Sequence, residues 1–181
     1  YEEFCTKFKK ATEALKLGYG LDESVQVGPV VNQGQLDTVK MYVEIGKKEG
    51  AKLLCGGNAL TEGVFAKGFF HEPTVFCDVK ASMRIAQEEI FGPVTCIIPV
   101  ENFEEALEVA NGTDFGLSLS MYTKDVNRAF MAMEDLESGI VYINAPTIGA
   151  EIQLPFGGVK QTGNGHREAG TACIDFFTEW K

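Results

Sequence analysis

The spacing of apolar residues predicts two helices in the first fifty positions. One apolar face lies in a segment rich in Lys and Glu that Gly18 and Gly20 bring to an end. A second face follows Gly28-Pro29 and runs to about Gly46. The residues on the two faces are Phe4, Phe8, Ala11 and Leu15 for the first helix, and Leu36, Val39 and Val43 for the second.

From residue 52 onward, short apolar runs alternate with helical patterns. The runs predict strands at 52–55, 69–79, 94–100, 117–122 and 139–144, and the intervening patterns predict helices at 81–89, 103–110 and 126–136. Pro73 interrupts the second run, which favours an edge or irregular strand there, and the residues between the first two runs form a predicted loop. This alternation is typical of an α/β fold with a largely parallel sheet and flanking helices.

Length and charge narrow the class of protein. The chain has 181 residues, enough for one domain, and a formal net charge of -10. Nucleic acids and anionic membrane surfaces are poor partners, because contact with phosphate needs clustered Lys and Arg. The apolar runs are far shorter than the roughly 20 residues of a membrane-spanning helix, so we expect a soluble protein. The first residues carry neither an initiator Met nor a signal sequence, which favours a piece of a longer protein.

The cysteines and histidines provide no clear candidate for a nucleophile or a metal site. Cys5, Cys55, Cys77, Cys96 and Cys173 are odd in number, widely scattered and lack Cys-x-x-Cys spacing. This pattern favours reduced thiols in a cytoplasmic protein, packed as small hydrophobes rather than acting as nucleophiles. With His71 and His166 as the only imidazoles, we expect no structural metal, and we interpret both as packed or loop residues.

A glycine-rich stretch runs from Pro155 to Gly170, "PFGGVKQTGNGHREAG". It does not match a dinucleotide fingerprint, because Glu168 occupies the place of the third small residue and no suitable strand precedes it. The spacing instead predicts a tight, buried loop in which backbone segments approach closely.

The stretch "QEEIFGPV", from Gln87 to Val94, sets two adjacent carboxylates against an aromatic residue and a Gly-Pro turn. Glu88 and Glu89 could simply form a solvated helix end. Alternatively, because adjacent helix positions do not share a face, one carboxylate could face solvent while the other turns inward with Phe91 at the mouth of the next strand. Local chemistry leaves these two interpretations open.

Four motifs in order resemble the NAD(P)-dependent aldehyde dehydrogenase superfamily. They are "EEIFGPV", the stretch "NGTDFGLSLSMYTKD", "GIVYIN", and "PFGGVK" with a later Gly-x-Arg-Glu. The resemblance covers nearly all 181 residues and implies an incomplete catalytic domain of that family's type. It implies oxidation of an aldehyde to a carboxylic acid with NAD or NADP through a cysteine thiolate and a Glu-activated water.

The resemblance assigns three residues to the cofactor. Glu89 matches the carboxylate that accepts hydrogen bonds from the nicotinamide ribose, and Phe91 matches the aromatic that contacts the nicotinamide end. Gln35 matches a residue that can also touch the ribose. Because the residues that meet the adenosine 2′ position belong to another domain in this family, the match does not choose between NAD and NADP.

Other matches concern the aldehyde. Phe156 matches an aromatic of the substrate pocket, and Glu168 matches a carboxylate that assists proton movement. Residues 145–154 match the loop that shapes substrate choice, with Ala145, Ile148 and Gly149 lining the pocket. The residues "NAPTIGAEIQLPFGG" resemble the branch of the family that includes semialdehyde dehydrogenases. This loop contains no cationic side chain that would indicate an anionic substrate.

The resemblance also implies what these 181 residues do not contain. In the family, the catalytic Cys, the general-base Glu and the nucleotide-binding domain lie upstream of the segment that matches Tyr1. Residues 1–181 therefore correspond to a C-terminal part of the catalytic domain, which we expect to be inactive alone and to belong to a homo-oligomer, a dimer or tetramer. The alternative is a standalone, non-catalytic module of the same fold used for assembly or regulation.

Overall fold

The computed structural model describes residues 1–181, and their contacts divide them into two units, residues 1–99 and 100–181. A three-stranded sheet organises the first unit, and a short 3-10 helix lies at Gly63–Phe65. The elements of this unit are α1 (Glu2–Glu13), α2 (Gln33–Glu49), β1 (Lys52–Cys55), β2 (Ala59–Leu60), β3 (Phe70–His71), β4 (Thr74–Cys77), α3 (Arg84–Gln87) and β5 (Val94–Cys96).

Strand β4 lies in the middle of this sheet, antiparallel to β1 and parallel to β5. All four of its residues are buried. The prediction of an edge or irregular strand at this place was therefore wrong. Pro73 lies just before β4, where its missing N–H removes no hydrogen bond from the sheet.

The predicted loop at residues 56–68 also contains regular structure, because β2 lies within it and pairs antiparallel with β3, which follows the loop. Its first residue approaches the chain before β4 closely: a Cβ on Gly56, at φ +73°, would lie 2.2 Å from the carbonyl oxygen of Pro73. Only glycine tolerates both that conformation and that distance.

Helix α2 supplies most of the core that covers the sheet. Val39, Val43 and Phe76 are fully or almost fully buried, in one cluster with Ile85 and Ile90. The Asn32 side chain caps the start of α2 by accepting the Gln35 N–H at 2.9 Å. The helix ends at Glu49, three residues beyond the end at about Gly46 that the sequence predicted, and Gly50 caps it in the left-handed conformation.

The second unit is built on a pair of parallel strands joined by a helix. Its elements are α4 (Phe103–Asn111), β6 (Phe115–Gly116), β7 (Ser118–Met121), α5 (Val126–Asp135), β8 (Ile140–Ile143), β9 (Val159–Lys160) and α6 (Ala172–Phe177). Strand β7 pairs in parallel with β8, and β6 pairs antiparallel with β9. The β7–α5–β8 segment is thus a βαβ unit, the arrangement that a parallel pair requires.

The α/β class is confirmed, and the predicted helices and most strands occupy the expected segments. Parallel pairing joins β4 to β5 and β7 to β8, while the other three strand pairs are antiparallel. The buried strand predicted at 94–100 is shorter, since β5 ends at Cys96 and is only half-buried. None of the helices combines the length and the apolar character that crossing a bilayer demands.

Candidate functional site

Residues 88–92 connect α3 to β5 and contain the paired carboxylates. Glu88 follows the last turn of α3 in an extended conformation, and its N–H donates to the carbonyl of Arg84 at 2.8 Å. The chain then reaches Phe91, which has a left-handed φ of +54°. A non-glycine residue in this region costs free energy, so the surrounding contacts must hold it there.

The two carboxylates have different surroundings. Arg84 donates to both oxygens of Glu88, through Nε at 2.7 Å and Nη2 at 2.8 Å, and the Tyr42 hydroxyl donates to Oε2 at 2.7 Å. The hydrogen bonds from Arg84, and then the one from Tyr42, lower the pKa of Glu88 from 4.5 to about 2. Glu88 is therefore ionised and already occupied within the protein.

Glu89 is the free carboxylate of the pair. Its side chain is exposed, and the ion pair at this end of α3 belongs to Glu88. Phe91 is 77% exposed, so its ring points away from the core. The idea that one carboxylate turns inward together with Phe91 was wrong: Phe91 is exposed beside Glu89, and the carboxylate that the protein binds is the half-buried Glu88.

Gln35, in the first turn of α2, reaches the same segment. Its Nε2 donates to the carbonyl oxygens of Ile90 at 2.8 Å and Phe91 at 2.9 Å. These two bonds use both N–H donors of the amide, so only Oε1 remains to accept a hydrogen bond from a ligand. The structure thus brings the three residues assigned to the cofactor into one place.

An open cleft lies beside this segment. Glu89 and Phe91 line one part of it, and Val94, Cys96 and Ile98 line another. The cleft therefore presents one free carboxylate and one exposed aromatic ring next to an apolar wall.

The second unit contains the residues assigned to the aldehyde. Phe156 and Glu168 form a two-residue antiparallel bridge, in which each N–H donates to the other's carbonyl at 2.7 Å. Both side chains are exposed and line a cavity of about 500 Å³ together with His166 and Phe176. Phe156 also lines a second cleft with Tyr142 and other residues, so it stands between two openings.

The three loop residues assigned to the substrate pocket are not among the residues that line these two openings. Ala145 is half-buried and its carbonyl accepts a hydrogen bond from the Ser120 hydroxyl. Ile148 is 80% exposed, and Gly149 is exposed with φ +87°. The second cleft is lined by Ala150 and Leu154 of the same loop.

The glycine-rich stretch is tight, as predicted, but half of its residues are exposed and only Gly158 is buried. A Cβ on Gly163 would lie 2.0 Å from the carbonyl oxygen of Gly158, and a Cβ on Gly157 would lie 2.8 Å from that of His166. Gly158 is buried, whereas His166 and Glu168 are exposed. Close backbone approach therefore holds for this loop, and burial does not.

The cysteines are packed rather than activated. Cys5, Cys55 and Cys77 are buried, and Cys96 and Cys173 are half-buried. Burial raises the pKa of the Cys55 and Cys77 thiols, and it raises that of Cys96 to about 11. A thiol in such surroundings stays protonated at neutral pH and is a poor nucleophile.

The histidines are also packed, and no cluster of metal-ligating side chains is present. His71 is buried and its Nδ1 lies 2.8 Å from the Glu72 carbonyl oxygen, while burial lowers its pKa. His166 packs edge-on against Phe176, with ring centroids 5.0 Å apart. No group of three or more His, Cys, Asp or Glu side chains is arranged to hold a metal ion.

Sequence reasoning missed the partners of Glu88. The Arg84–Glu88 spacing of four residues on a helix was a readable signal for an ion pair. Tyr42 lies 46 residues from Glu88, and Glu49, which accepts the Arg84 N–H at 3.0 Å, lies 35 residues from Arg84, so no local pattern could have revealed either contact.

Comparisons with known proteins give a consistent result. The model described as "Aldehyde dehydrogenase family" matches residues 1–181. The chain is 44% identical to an α-ketoglutaric semialdehyde dehydrogenase of Bacillus subtilis over 181 residues, which are 100% of this chain and 37% of that protein. It is 42% identical to a betaine aldehyde dehydrogenase of Sinorhizobium fredii, covering 99% of this chain and 36% of that protein.

A solved structure shows the same fold. The crystal structure of a Mycobacterium tuberculosis aldehyde dehydrogenase complexed with NAD+ matches with a TM-score of 0.93 and 39% identity, covering 100% of this chain and 36% of that chain. The chain thus spans little more than a third of the length of the relatives that it matches.

Proposed function

This chain belongs to the aldehyde dehydrogenase family, and we propose that it is the C-terminal part of a catalytic domain that oxidises an aldehyde to a carboxylic acid with NAD(P)+. The rest of that protein supplies the nucleophilic Cys, the general-base Glu and the nucleotide-binding domain. Residues 1–181 contribute one side of the cofactor site and one wall of the substrate pocket, and by themselves they do not carry out the oxidation.

One observation carries the cofactor role: Glu89 and Phe91 both point outward from a segment whose backbone Gln35 holds. Phe91 is 77% exposed, and the Gln35 amide donates to the carbonyls of Ile90 and Phe91. An exposed carboxylate and an exposed aromatic ring at fixed positions, two residues apart, suit a ligand with hydroxyl groups and a flat ring.

Each of these residues has one task toward a bound nicotinamide riboside. The Glu89 carboxylate accepts hydrogen bonds from the ribose hydroxyls, which orients the sugar. The Phe91 ring contacts the nicotinamide, and Gln35 Oε1 accepts a further hydroxyl hydrogen bond. When bound, the cofactor accepts a hydride from the substrate. These contacts concern its nicotinamide half, which NAD and NADP share.

For the substrate we propose an aldehyde that enters past Phe156 and Glu168, with Ala145, Ile148 and Gly149 shaping the entrance. A semialdehyde is the narrower proposal, supported by the 44% identity to an α-ketoglutaric semialdehyde dehydrogenase. A betaine aldehyde is the competing substrate, given the 42% identity to a betaine aldehyde dehydrogenase. Glu168 is proposed as an accessory group for proton movement at the entrance.

We also propose that the complete protein is a cytoplasmic homo-oligomer, a dimer or a tetramer. Large apolar side chains near the end of the chain are fully or mostly exposed in these 181 residues, among them Phe177 at 76% and Trp180 at 102%. Such side chains are normally covered by other parts of a protein or by a partner subunit.

The test uses the protein expressed from its complete natural reading frame. NADH or NADPH formation is followed with α-ketoglutaric semialdehyde and with betaine aldehyde as substrates. Glu89→Gln keeps the size of the side chain but removes its charge, so we expect KM for the cofactor to rise or kcat to fall, by about tenfold. Unchanged constants for the cofactor would remove the role assigned to Glu89.

A further inference from the structure

Three residues at regular spacing on α2 contact α3 and the segment that follows it. Gln35, Tyr42 and Glu49 are each seven residues apart, which is about two helical turns, so they lie along one face of α2. Gln35 binds the carbonyls of Ile90 and Phe91, Tyr42 binds Glu88, and Glu49 accepts the N–H of Arg84. We call these three residues the α2 clamp.

The lengths of the two facing pieces match. Gln35 and Tyr42 are separated by about 10.5 Å along the helix axis. The three-residue step from Glu88 to Phe91 can span at most about 10 Å. The segment therefore lies along the helix, with its two ends fixed by side chains of the same rigid element.

Apolar contacts close the space between these two ends. Val39, between Gln35 and Tyr42 on α2, is fully buried in one cluster with Ile90. A Cβ on Gly92 would lie 2.3 Å from Cγ2 of Val39, so the segment packs directly against this helix face. Ile90 points in, and its neighbours Glu89 and Phe91 are left outside.

Tyr42 is the member of the clamp that contacts both Glu88 and Arg84. Its hydroxyl donates to Glu88 Oε2 at 2.7 Å, and the Arg84 guanidinium lies over its ring, 5.8 Å from the centroid. Arg84 itself donates twice to Glu88. Tyr42 thus connects the core of the first unit to the residue that precedes Glu89.

We propose that Tyr42, with Arg84 and Glu88, acts as a positioning device that fixes the direction in which Glu89 and Phe91 meet the nicotinamide half of the cofactor. This inference rests on the proposed function, since it assumes that Glu89 and Phe91 contact that half. None of the three positioning residues needs to touch the ligand. Their effect is confined to the nicotinamide half and does not extend to the adenosine half.

The test compares two ligands on the complete protein by equilibrium titration. One ligand is NAD+ or NADP+, whichever the protein binds, and the other is the matching adenosine diphosphate half. For Tyr42→Phe we expect the Kd of the whole cofactor to rise by about three- to tenfold, because a hydrogen bond to a charged group is lost. The Kd of the adenosine half should stay within about twofold of its original value.

A matched control is Tyr1→Phe. The Tyr1 hydroxyl also donates to a carboxylate, Asp78 Oδ1 at 2.8 Å, but lies outside the clamp. The Tyr1→Phe variant should leave the Kd of the whole cofactor and the Kd of the adenosine half unchanged. If Tyr42→Phe does not fold, Glu88→Gln and Glu88→Ala replace it: Gln still offers Tyr42 an acceptor, so its effect should be smaller than that of Ala.

The outcomes separate the two ideas. If Glu89→Gln weakens cofactor binding but Tyr42→Phe and Glu88→Ala do not, the positioning device is wrong and the proposed function stands. Equal weakening of both ligands by Tyr42→Phe would also overturn it, because that is the result of general loosening. If Glu89→Gln and Phe91→Ala leave cofactor binding unchanged, the cofactor role proposed for Glu89 and Phe91 fails, and the positioning device fails with it.

Discussion

Gly92 packs directly against Val39, and replacing Gly92 with alanine tests that contact. The added Cβ would lie 2.3 Å from Val39 Cγ2, whereas two carbon atoms in contact prefer about 3.5 to 4.0 Å. Val39 is fully buried and β-branched, so it has little freedom to rotate away. We expect Gly92→Ala to lower the free energy of unfolding of this region by about 2 to 3 kcal/mol, as overpacking does.

A double-mutant cycle separates this clash from other effects. Val39→Ala alone should cost about 2 kcal/mol, from two methyl groups at about 0.8 kcal/mol each and a small cavity. It also removes the clashing atom, because the next nearest atom to the new Cβ would be Val39 Cβ at 3.6 Å. The double variant should therefore be more stable than the sum of the single effects, by about 1 to 2 kcal/mol.

The assay is hydrogen exchange at the amides of α3 and β5 in the complete protein, supported by urea unfolding. Exchange at individual amides is preferred to a global unfolding curve, because a protein of several domains need not unfold in one step. Gly28→Ala is the matched control, since a Cβ there meets no atom within 4 Å and its backbone φ is ordinary. Additivity of the Gly92 and Val39 effects within about 0.5 kcal/mol would refute the packing of this segment on α2.

Two further predictions concern the stability of the protein at acid pH and the close contact between two backbone segments. The folded pKa of Glu88 is about 2 against an ordinary 4.5, so its stabilising effect is complete above about pH 4.5 and is lost as the pH falls toward 2. The difference in urea midpoint between the natural protein and Glu88→Gln should shrink over that range, and a constant difference would contradict the ion pair. A Cβ on Gly139 would lie 1.7 Å from the Gly157 carbonyl oxygen, so Gly139→Ala should destabilise the second unit by about 3 kcal/mol or more. An unfolding transition equal to that of Gly28→Ala would show that the two backbones are not in contact.

Local patterns predicted the helices well because their causes are local. The 3.6-residue spacing, the cap at Asn32 and the left-handed Gly50 all belong to α2 itself or to its immediate neighbours. Strand position was harder to predict. Pro73 weakens a strand that contains it, but the strand begins at Thr74, and its central place depends on partners 20 to 25 residues before it and 20 residues after it.

The candidate site divides in the same way. The motif around Glu89 and Phe91 could be recognised because its residues are contiguous. The exposure of Phe91 and the partners of Glu88 depend on contacts with α2, which lies some 50 residues earlier in the chain. Sequence reasoning therefore identified Glu89, Phe91 and Gln35 as candidates, and it missed Tyr42 and Arg84, which bind Glu88.

Glu88 and Glu89, the adjacent carboxylates of "QEEIFGPV", have different surroundings, and Arg84 causes the difference. Two unpaired negative charges on neighbouring residues would repel each other, and that repulsion would favour protonation of one of them. Arg84 binds both oxygens of Glu88 and compensates its charge, so Glu89 is the only uncompensated carboxylate of the segment. Because Arg84 begins α3 and Glu88 directly follows its last residue, the two lie only four residues apart, and the pairing needs no distant partner to form. The carboxylate that we propose for the ligand, Glu89, can then stay exposed without opposing the structure that holds it.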